Sequence, residues 1–541
     1  MIIKHLKPWL IFLVLALIVL GPLMLPGYIL TVDLSWGPHL PVADWTSNTA
    51  PLVALLGLLQ SLIPSWVVEK IMLLSLFTLA GVGMWRLASS PGGGWPAYVA
   101  GALYMVNPFT YERLMAGQWL VLGGYAVLPF VVAATVTLLK RPGLRRSLNL
   151  TAWSVSLGII SLHALAMAAL IVAILVLVHA LGRGWNSFRP ALPWVGLASV
   201  LWAVASSFWF VPLVLQRSAT SRAVASFDAG QFTAFRTASG PGGVPLNTLA
   251  LQGFWGERTG LVLPASSTGP WFWIATAIIW AGVGYGGYLA VRRRDRLAGS
   301  LAVSALVAWW LAMGIAWVPA AGLTQWLVEH APFYQGYREP AKWLAVLALA
   351  YAYFSAITLR HFEQKLHGFW RSAAVVSCAV VIYMWVPLLP WGAAGQLSSQ
   401  DYPATWYALN DRLNKLDPVD TPNILLLPWH QYLYLDFAHR PVALPAAAFF
   451  DRAVITSNDP ELPGVLPFDT SNVAFRVQED VINRRFFGQN AGSRLQVLGI
   501  QYVVLLKVSD WRDYRWVSLQ KDLLLVADTP QWQLYQTQVP K

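Results

Sequence analysis

The chain reads as an α-helical polytopic membrane protein that carries a small α/β domain outside the membrane. Three observations predict this. Of its 541 residues, 57% are hydrophobic and only 11% are charged, whereas ordinary soluble domains are about one quarter charged. The apolar residues gather into runs of the length a helix needs to cross a bilayer. Every basic cluster between those runs falls on one side once the runs are counted off. Mean hydropathy is +0.53, and the 29 tryptophans suit aromatic belts at the two interfaces.

The N-terminus comes first. Lys4 and Lys7 precede a long apolar core with no small-x-small cleavage pattern behind it. This predicts a retained signal-anchor helix with its N-terminus in the cytoplasm. Apolar runs then follow near 9–26, 66–87, 95–107, 118–139, 148–162, 164–181, 192–215, 269–290, 298–319, 340–359 and 371–390, about eleven segments in all. Two are short: 95–107 stops at Asn107-Pro108, and 148–162 stops near His163. Either can instead be part of a longer bent element.

With the N-terminus inside, the cytoplasmic turns hold Arg86, then Lys140, Arg141, Arg145 and Arg146, then Arg183 and Arg189, then Arg292, Arg293, Arg294 and Arg296, and finally Arg360, Lys365 and Arg371. That is the positive-inside pattern of a plasma-membrane protein. The net charge of +12 is therefore spread over turns as a topology signal. It forms no single basic patch, which excludes a nucleic-acid partner. The one cysteine, Cys378, lies in an apolar run, so no intramolecular disulfide can form and thiol chemistry is not expected.

The other side receives the segments 27–65, 108–117, 216–268 and 320–339, and the whole tail from Trp391. The loop 216–268 contains Gly240-Pro241-Gly242-Gly243 and the charged residues Arg217, Arg222, Asp228, Arg236, Glu257 and Arg258. The chain thus divides into a transmembrane domain over 1–390 and an extracytoplasmic α/β domain over 391–541. In the tail, turn signals stand at Asp417-Pro418 and Asp459-Pro460. Strands are expected at 423–427, 501–507, 523–527 and 532–536, and helices at 404–416 and 493–498. The tail has no G-x-S-x-G, no phosphate-binding glycine loop and no metal-ligand spacing. It reads as a packing or acceptor-recognition domain. Neither an internal repeat nor a low-complexity tract is visible.

Three constellations carry chemistry. The first loop after the first span, PGYILTVDLSWGPHLPVADWTSNTA over 26–50, holds Asp33, His39 and Asp44. In a chain so poor in acids, Asp33 and Asp44 are the candidate catalytic carboxylates, since a general base needs one well-placed carboxylate. His39 is a candidate substrate contact. Against this, Asp33 can cap a helix or turn, and Asp44 can do the same before Trp45. The second constellation, NPFTYERLMAGQW over 107–119, holds Glu112 and Arg113, either a substrate-binding pair or an interfacial ion pair. The third, FYQGYREPAKW over 333–343, places Arg338, Glu339 and Lys342 just before an apolar run. Arg338 and Lys342 are four apart and share a face if a helix begins there, although Pro340 makes the first turn irregular. Cations on the non-cytoplasmic side run against the topology signal. They suit the phosphate of a lipid carrier, the alternatives being snorkelling or an Arg338–Glu339 pair. Glu69 and Lys70 are expected to pair locally or face the bundle, His163 to lie in a turn or the bundle interior, and His179 to be interfacial.

On these residues the chain resembles the GT-C superfamily of multi-spanning glycosyltransferases. The likeness rests on the acidic first loop with Asp33 and Asp44, the short spans around Asn107-Pro108-Phe109, the Tyr337-Arg338-Glu339-Pro340-x-Lys342 cluster and the extracytoplasmic tail. It is similar to large bacterial and archaeal membrane proteins of that superfamily, and more loosely to arabinofuranosyltransferases. The resemblance implies a polyprenyl-phosphate-linked sugar donor, an extracytoplasmic glycan, lipid or protein acceptor, and inverting transfer. It also implies Asp33 as the base, with Arg338 and Lys342 on the lipid phosphate. The first loop lacks an adjacent Asp-Asp, Asp-Glu or D-x-D, and the tail lacks a W-W-D-Y-G-type motif. The resemblance therefore names neither the sugar nor the acceptor, and it leaves a divalent cation open. Two rival readings are a transporter or flippase of lipid-linked saccharides and a non-catalytic cell-envelope assembly protein. A transporter is expected to carry ionisable groups at mid-membrane and repeated halves, whereas here the charges gather at the rim.

Overall fold

A computed structural model of the chain describes residues 2–89, 94–183, 188–218, 220–221, 224, 229–416, 424–459, 473–485 and 490–538. Arg222, Asp228, Asn423, the Asp417-Pro418 turn and Pro460 lie outside the described residues.

Among the described residues nine helices are long and apolar enough to cross a membrane: Leu6–Met24, Ser65–Ala88, Trp119–Lys140, Leu162–Leu181, Arg189–Val214, Pro270–Arg292, Arg296–Ala316, Pro340–Glu363 and Gly368–Ala394. The two short runs account for the difference from eleven. The helix Trp95–Met105 has 11 residues, about 16 Å at 1.5 Å per residue and half the depth of the hydrocarbon core. It stops because Asn107 starts a new helix, Pro108–Ala116, with a capping box. The Asn107 side chain accepts from Thr110 N at 3.1 Å, and the Thr110 hydroxyl accepts from Asn107 N at 3.2 Å. Pro108 at the first helical position removes a donor that would have no partner anyway. The helix Leu144–Ile160 has 17 residues and opens with Arg145, Arg146 and Ser147.

The helix Pro340–Glu363 is the axis of the bundle, with 94% of its apolar window buried. Its alanines let neighbours approach closely, as small residues do between membrane helices. At Gly286 of Pro270–Arg292 a Cβ would lie 2.2 Å from the Phe354 carbonyl oxygen, so only glycine fits that crossing. On the opposite, lipid-facing surfaces stand exposed residues such as Leu10, Val14, Leu17, Val200, Val204, Val303 and Leu306.

The first loop is pinned from three directions. The Tyr28 amide donates to Gln400 O at 2.8 Å, the Ile29 amide to Glu69 Oε2 at 3.1 Å, and the Asp33 amide to Ala116 O at 2.8 Å. Glu69 thus holds the loop while its neighbour Lys70 lies 3.6 Å away. Gly117, at φ +75°, ends the helix Pro108–Ala116 where a Cβ would meet Thr31 Oγ1 at 1.9 Å. Glycine is therefore required both for the left-handed turn and for the close approach of the loop. Farther on, the loop forms the helix Ala50–Gln60. The segment expected as an outer turn at 320–339 instead contains the helix Val318–His330.

The tail builds a mixed sheet. We number its strands β1 (Ile424–Leu427), β2 (Tyr432–Leu435), β3 (Arg440–Ala443), β4 (Val454–Ile455), β5 (Tyr502–Leu506), β6 (Leu523–Asp528) and β7 (Trp532–Thr537). The order is β4-β1-β5-β7-β6, with β1 parallel to β4 and β5, and β7 antiparallel to β5 and β6. β1 and β5 are buried throughout, which is why they read as unbroken apolar runs. β2 and β3 form a separate antiparallel hairpin that the sequence reading did not anticipate. The helices at Ala404–Asn414 and Ala491–Val497 lie close to the expected ones. The tail docks on the first loop: Tyr402 donates to Trp36 O at 2.7 Å, and His39 N to Ala448 O at 2.8 Å.

Candidate active site

The turn after Pro108–Ala116, the first loop and the start of the axial helix meet at the end of the bundle that carries the tail. Gln118 lies at the centre of this meeting point. Its amide nitrogen is 3.1 Å from Asp33 Oδ2 and 3.2 Å from Glu339 Oε2, and its carbonyl oxygen accepts from Arg113 Nη1 at 2.7 Å. Arg113 is fully buried. Its Nη1 also reaches Glu339 Oε2 at 3.2 Å, and its guanidinium lies between the rings of Phe109 and Phe254, 5.1 and 4.7 Å from their centroids. Lys342 Nζ stands 3.5 Å from Glu339 Oε1 and 3.5 Å from His163 Nε2. His163 is fixed in turn by Gly336 O at 2.9 Å, and its carbonyl accepts from the Tyr337 hydroxyl.

Arg338 and Lys342 do not share a helical face. The stretch is 3₁₀ at Tyr334–Tyr337 and again at Pro340–Trp343, and the α-helix starts only at Leu344. Lys342 therefore turns into the bundle. Arg338 turns to the loop 216–268, where its Nη1 donates to Gln231 Oε1 at 2.7 Å and its guanidinium lies 4.5 Å from the centre of the Phe235 ring.

The charges balance unevenly. Burial alone would raise the Glu339 carboxyl, but Lys342, Arg113 and Arg338 outweigh it and hold its pKa at about 2. Glu339 is therefore a fixed anion. Asp33 behaves in the opposite way. Its side chain is exposed at the surface, with protein crowded around it. That desolvation, followed by the Glu339 charge, raises its pKa to about 6 against the Gln118 hydrogen bond, Lys342 and Arg338. A carboxyl poised near neutrality, beside a cluster with more cations than anions, can take a proton from a hydroxyl. The cations can hold a phosphate.

Beside this cluster opens a cavity of about 660 Å³, within the size range of small-molecule sites. Thr31 and Val32 of the first loop, Arg338, Trp255, Tyr432 and Arg440 are among the residues that line it. Asp33 is not itself a lining residue, but it is close enough to Arg338 and Tyr432 to interact with both electrostatically.

The remaining candidates lie elsewhere. Asp44 is exposed and closes its own turn, accepting from Thr46 N at 2.9 Å and Thr46 Oγ1 at 2.8 Å. His39 pairs with Asp451 of the tail at 2.7 Å, both side chains being over two-fifths exposed, so it acts where the tail docks. Glu112 is fully buried on the far side of Pro108–Ala116 from Gln118's partners, against Glu257. Burial, then the Glu257 charge, raise its pKa well above the usual range, against the Arg113 charge and the Phe254 backbone. It faces Phe254 and Glu257 of the 250s loop. Gln118, His163 and Arg440 were not singled out from sequence as site residues. Gln118 did leave a signal, a polar residue entering an apolar run between Gly117 and Trp119, where it must find partners.

Among the described residues no three histidine, cysteine, aspartate or glutamate side chains gather to hold a metal ion. Glu339 is already bound by Arg113 and Lys342.

No family model and no curated protein matches the chain. Solved structures do. The arabinofuranosyltransferase AftD from Mycobacteria aligns over 99% of this chain and 40% of that chain, at 16% identity and a TM-score of 0.63. A variant of that enzyme aligns over 99% and 41%, at 15% identity and a TM-score of 0.64. The oligosaccharyltransferase of Archaeoglobus fulgidus aligns over 92% and 65%, at 13% identity and a TM-score of 0.47, too low to build on. The chain thus has the GT-C fold and spans about two-fifths of the length of the arabinofuranosyltransferase it matches.

Proposed function

We propose that the protein is a membrane glycosyltransferase that moves a sugar from a polyprenyl-phosphate-linked donor to an extracytoplasmic acceptor, with inversion. The observation that carries this is the convergence of Asp33, Glu339 and Arg113 on Gln118, with Lys342 on Glu339, beside a cavity walled by Arg338. The GT-C fold supports it. In this reading the lipid phosphate reaches Arg338 and Lys342 from the bilayer, and the acceptor hydroxyl reaches Asp33 from the aqueous side. Asp33 takes the hydroxyl proton as the acceptor oxygen bonds to the sugar's anomeric carbon. The bond from that carbon to the phosphate oxygen breaks, its electron pair stays on the phosphate, and the cations stabilise the leaving group. Arg113 and Gln118 touch no substrate and act as positioning residues. The N-terminus lies in the cytoplasm and the tail outside.

The test is transfer of radiolabelled sugar from synthetic polyprenyl-phosphate sugars, by the purified protein in nanodiscs, to a glycan extract of the host envelope. Asp33→Asn keeps shape and the Gln118 contact but removes the base, so transfer should fall by about two to four orders of magnitude with an unchanged thermal midpoint. A variant as active as the parent would sink the assignment.

A further inference from the structure

The cavity has a second arginine in its lining. Arg440 opens β3, in the hairpin that extends from the tail, and it lines the same cavity as Arg338. Among the described residues no carboxylate lines that cavity. Arg440 is half-buried. Its Nη2 donates to the Gln396 backbone carbonyl, and burial lowers its pKa with no acidic partner opposing it among the described residues. One guanidinium nitrogen is thus anchored, which aims the rest of the fork at the cavity. Gln431 and Tyr432 of the same hairpin and Trp255 line the cavity as well. Amide and aromatic groups of this kind suit the polar edges and apolar faces of a saccharide.

A partly desolvated guanidinium without a carboxylate is costly to keep unless a ligand supplies the anion. Resting on the transferase reading above, we infer that Arg440 binds a carboxylate or phosphate carried by the acceptor, so that the acceptor is an acidic saccharide. The source is the acceptor rather than the donor because of where Arg440 sits. It belongs to β3 of the tail, whereas Arg338, which lines the same cavity, directly precedes the membrane-spanning helix Pro340–Glu363, the side from which a donor lipid enters.

The experiment titrates the purified full chain in nanodiscs and follows tryptophan fluorescence. The probes are trigalacturonate against its methyl ester, mannose 6-phosphate against mannose, and polyprenyl phosphate. Arg440→Gln keeps a donor for the Gln396 carbonyl and removes the charge. Arg440→Lys keeps the charge. We expect the parent to prefer at least one charged saccharide over its neutral partner about tenfold or more, as charge-assisted bonds allow. Arg440→Gln should abolish that preference, Arg440→Lys should retain part of it, and polyprenyl phosphate affinity should stay unchanged in both. No preference in the parent, a preference that survives Arg440→Gln, or an equal loss of polyprenyl phosphate binding would each overturn the inference, the last by assigning Arg440 to the donor. Failure of the transferase reading itself would show separately, as transfer that survives Asp33→Asn.

Discussion

Replacing Glu339 by glutamine tests whether this one buried anion sets the working pH of Asp33. The cluster holds three cations, Arg113, Arg338 and Lys342, and two acids, Asp33 and Glu339. Glu339 is the largest charge raising the Asp33 pKa to about 6, second only to burial. A base must be deprotonated to act, so the rate is present above that pKa and lost as pH falls through it. With a pKa of about 6, about one tenth of Asp33 is ionised at pH 5. Glu339→Gln leaves the burial in place and removes the charge. The acid limb should then shift down to a value between 3.8 and about 6. The rate at pH 5, taken relative to the plateau near pH 8, can rise at most about tenfold. Stability should move the other way, because Arg113 and Lys342 lose their shared carboxylate, and breaking a buried pair from one side costs about 3–5 kcal/mol. The assay is the pH–rate profile of sugar transfer by parent and variant, alongside thermal unfolding in detergent. An acid limb that stays near pH 6 in the variant, or moves up, would refute the coupling and with it the placement of Asp33 as the base.

Other outcomes follow from the same geometry. Arg338→Ala and Lys342→Met should each weaken polyprenyl phosphate binding roughly tenfold or more, measured by ligand titration, while expression is kept; unchanged affinity in both would make the cluster purely structural. Asp44→Asn should leave the transfer rate within a few-fold of the parent, since its carboxylate closes an exposed turn. His39→Ala should cost about 0–1 kcal/mol in thermal unfolding, as exposed pairs do, and a large activity loss in either variant would draw the first loop's far half into the site. Reporter fusions after Arg146, Arg296 and Lys541 should read inside, inside and outside; a cytoplasmic tail would reverse the proposed access of donor and acceptor.

Composition and charge made the class of fold legible because a membrane leaves few choices. Backbone groups in lipid must pair within a helix, so long apolar runs became helices. The count was less legible. Trp95–Met105 is as apolar as its neighbours, and only the Asn107-Pro108 cap, a local feature, makes it half-length. In the tail, β1 and β5 announce themselves because both faces are buried. The β2–β3 hairpin does not. Its strands have only four residues each and β3 includes Pro441, so no period rises above that of a loop.

The site was legible in its ionisable residues and illegible in what joins them. Arg338 and Lys342 stood out because charge near lipid is expensive, and Asp33 because acids are scarce. Their partners follow no sequence spacing: Gln118 reaches across 85 residues to Asp33 and 221 to Glu339, and Lys342 across 179 to His163. Such contacts exist only once helices pack. The same limit applies to neighbours in the sequence. Glu112 and Arg113 are adjacent in sequence and were read as one pair. Consecutive residues on a helix point about 100° apart, however, and do not face each other. Arg113 turns toward Glu339 and Gln118, while Glu112 turns toward Glu257. Helical geometry, applied to the nine residues of Pro108–Ala116, was enough to split them. The arginine's direction then implies a buried acid to meet it, and Glu339 is the acid that supplies the charge.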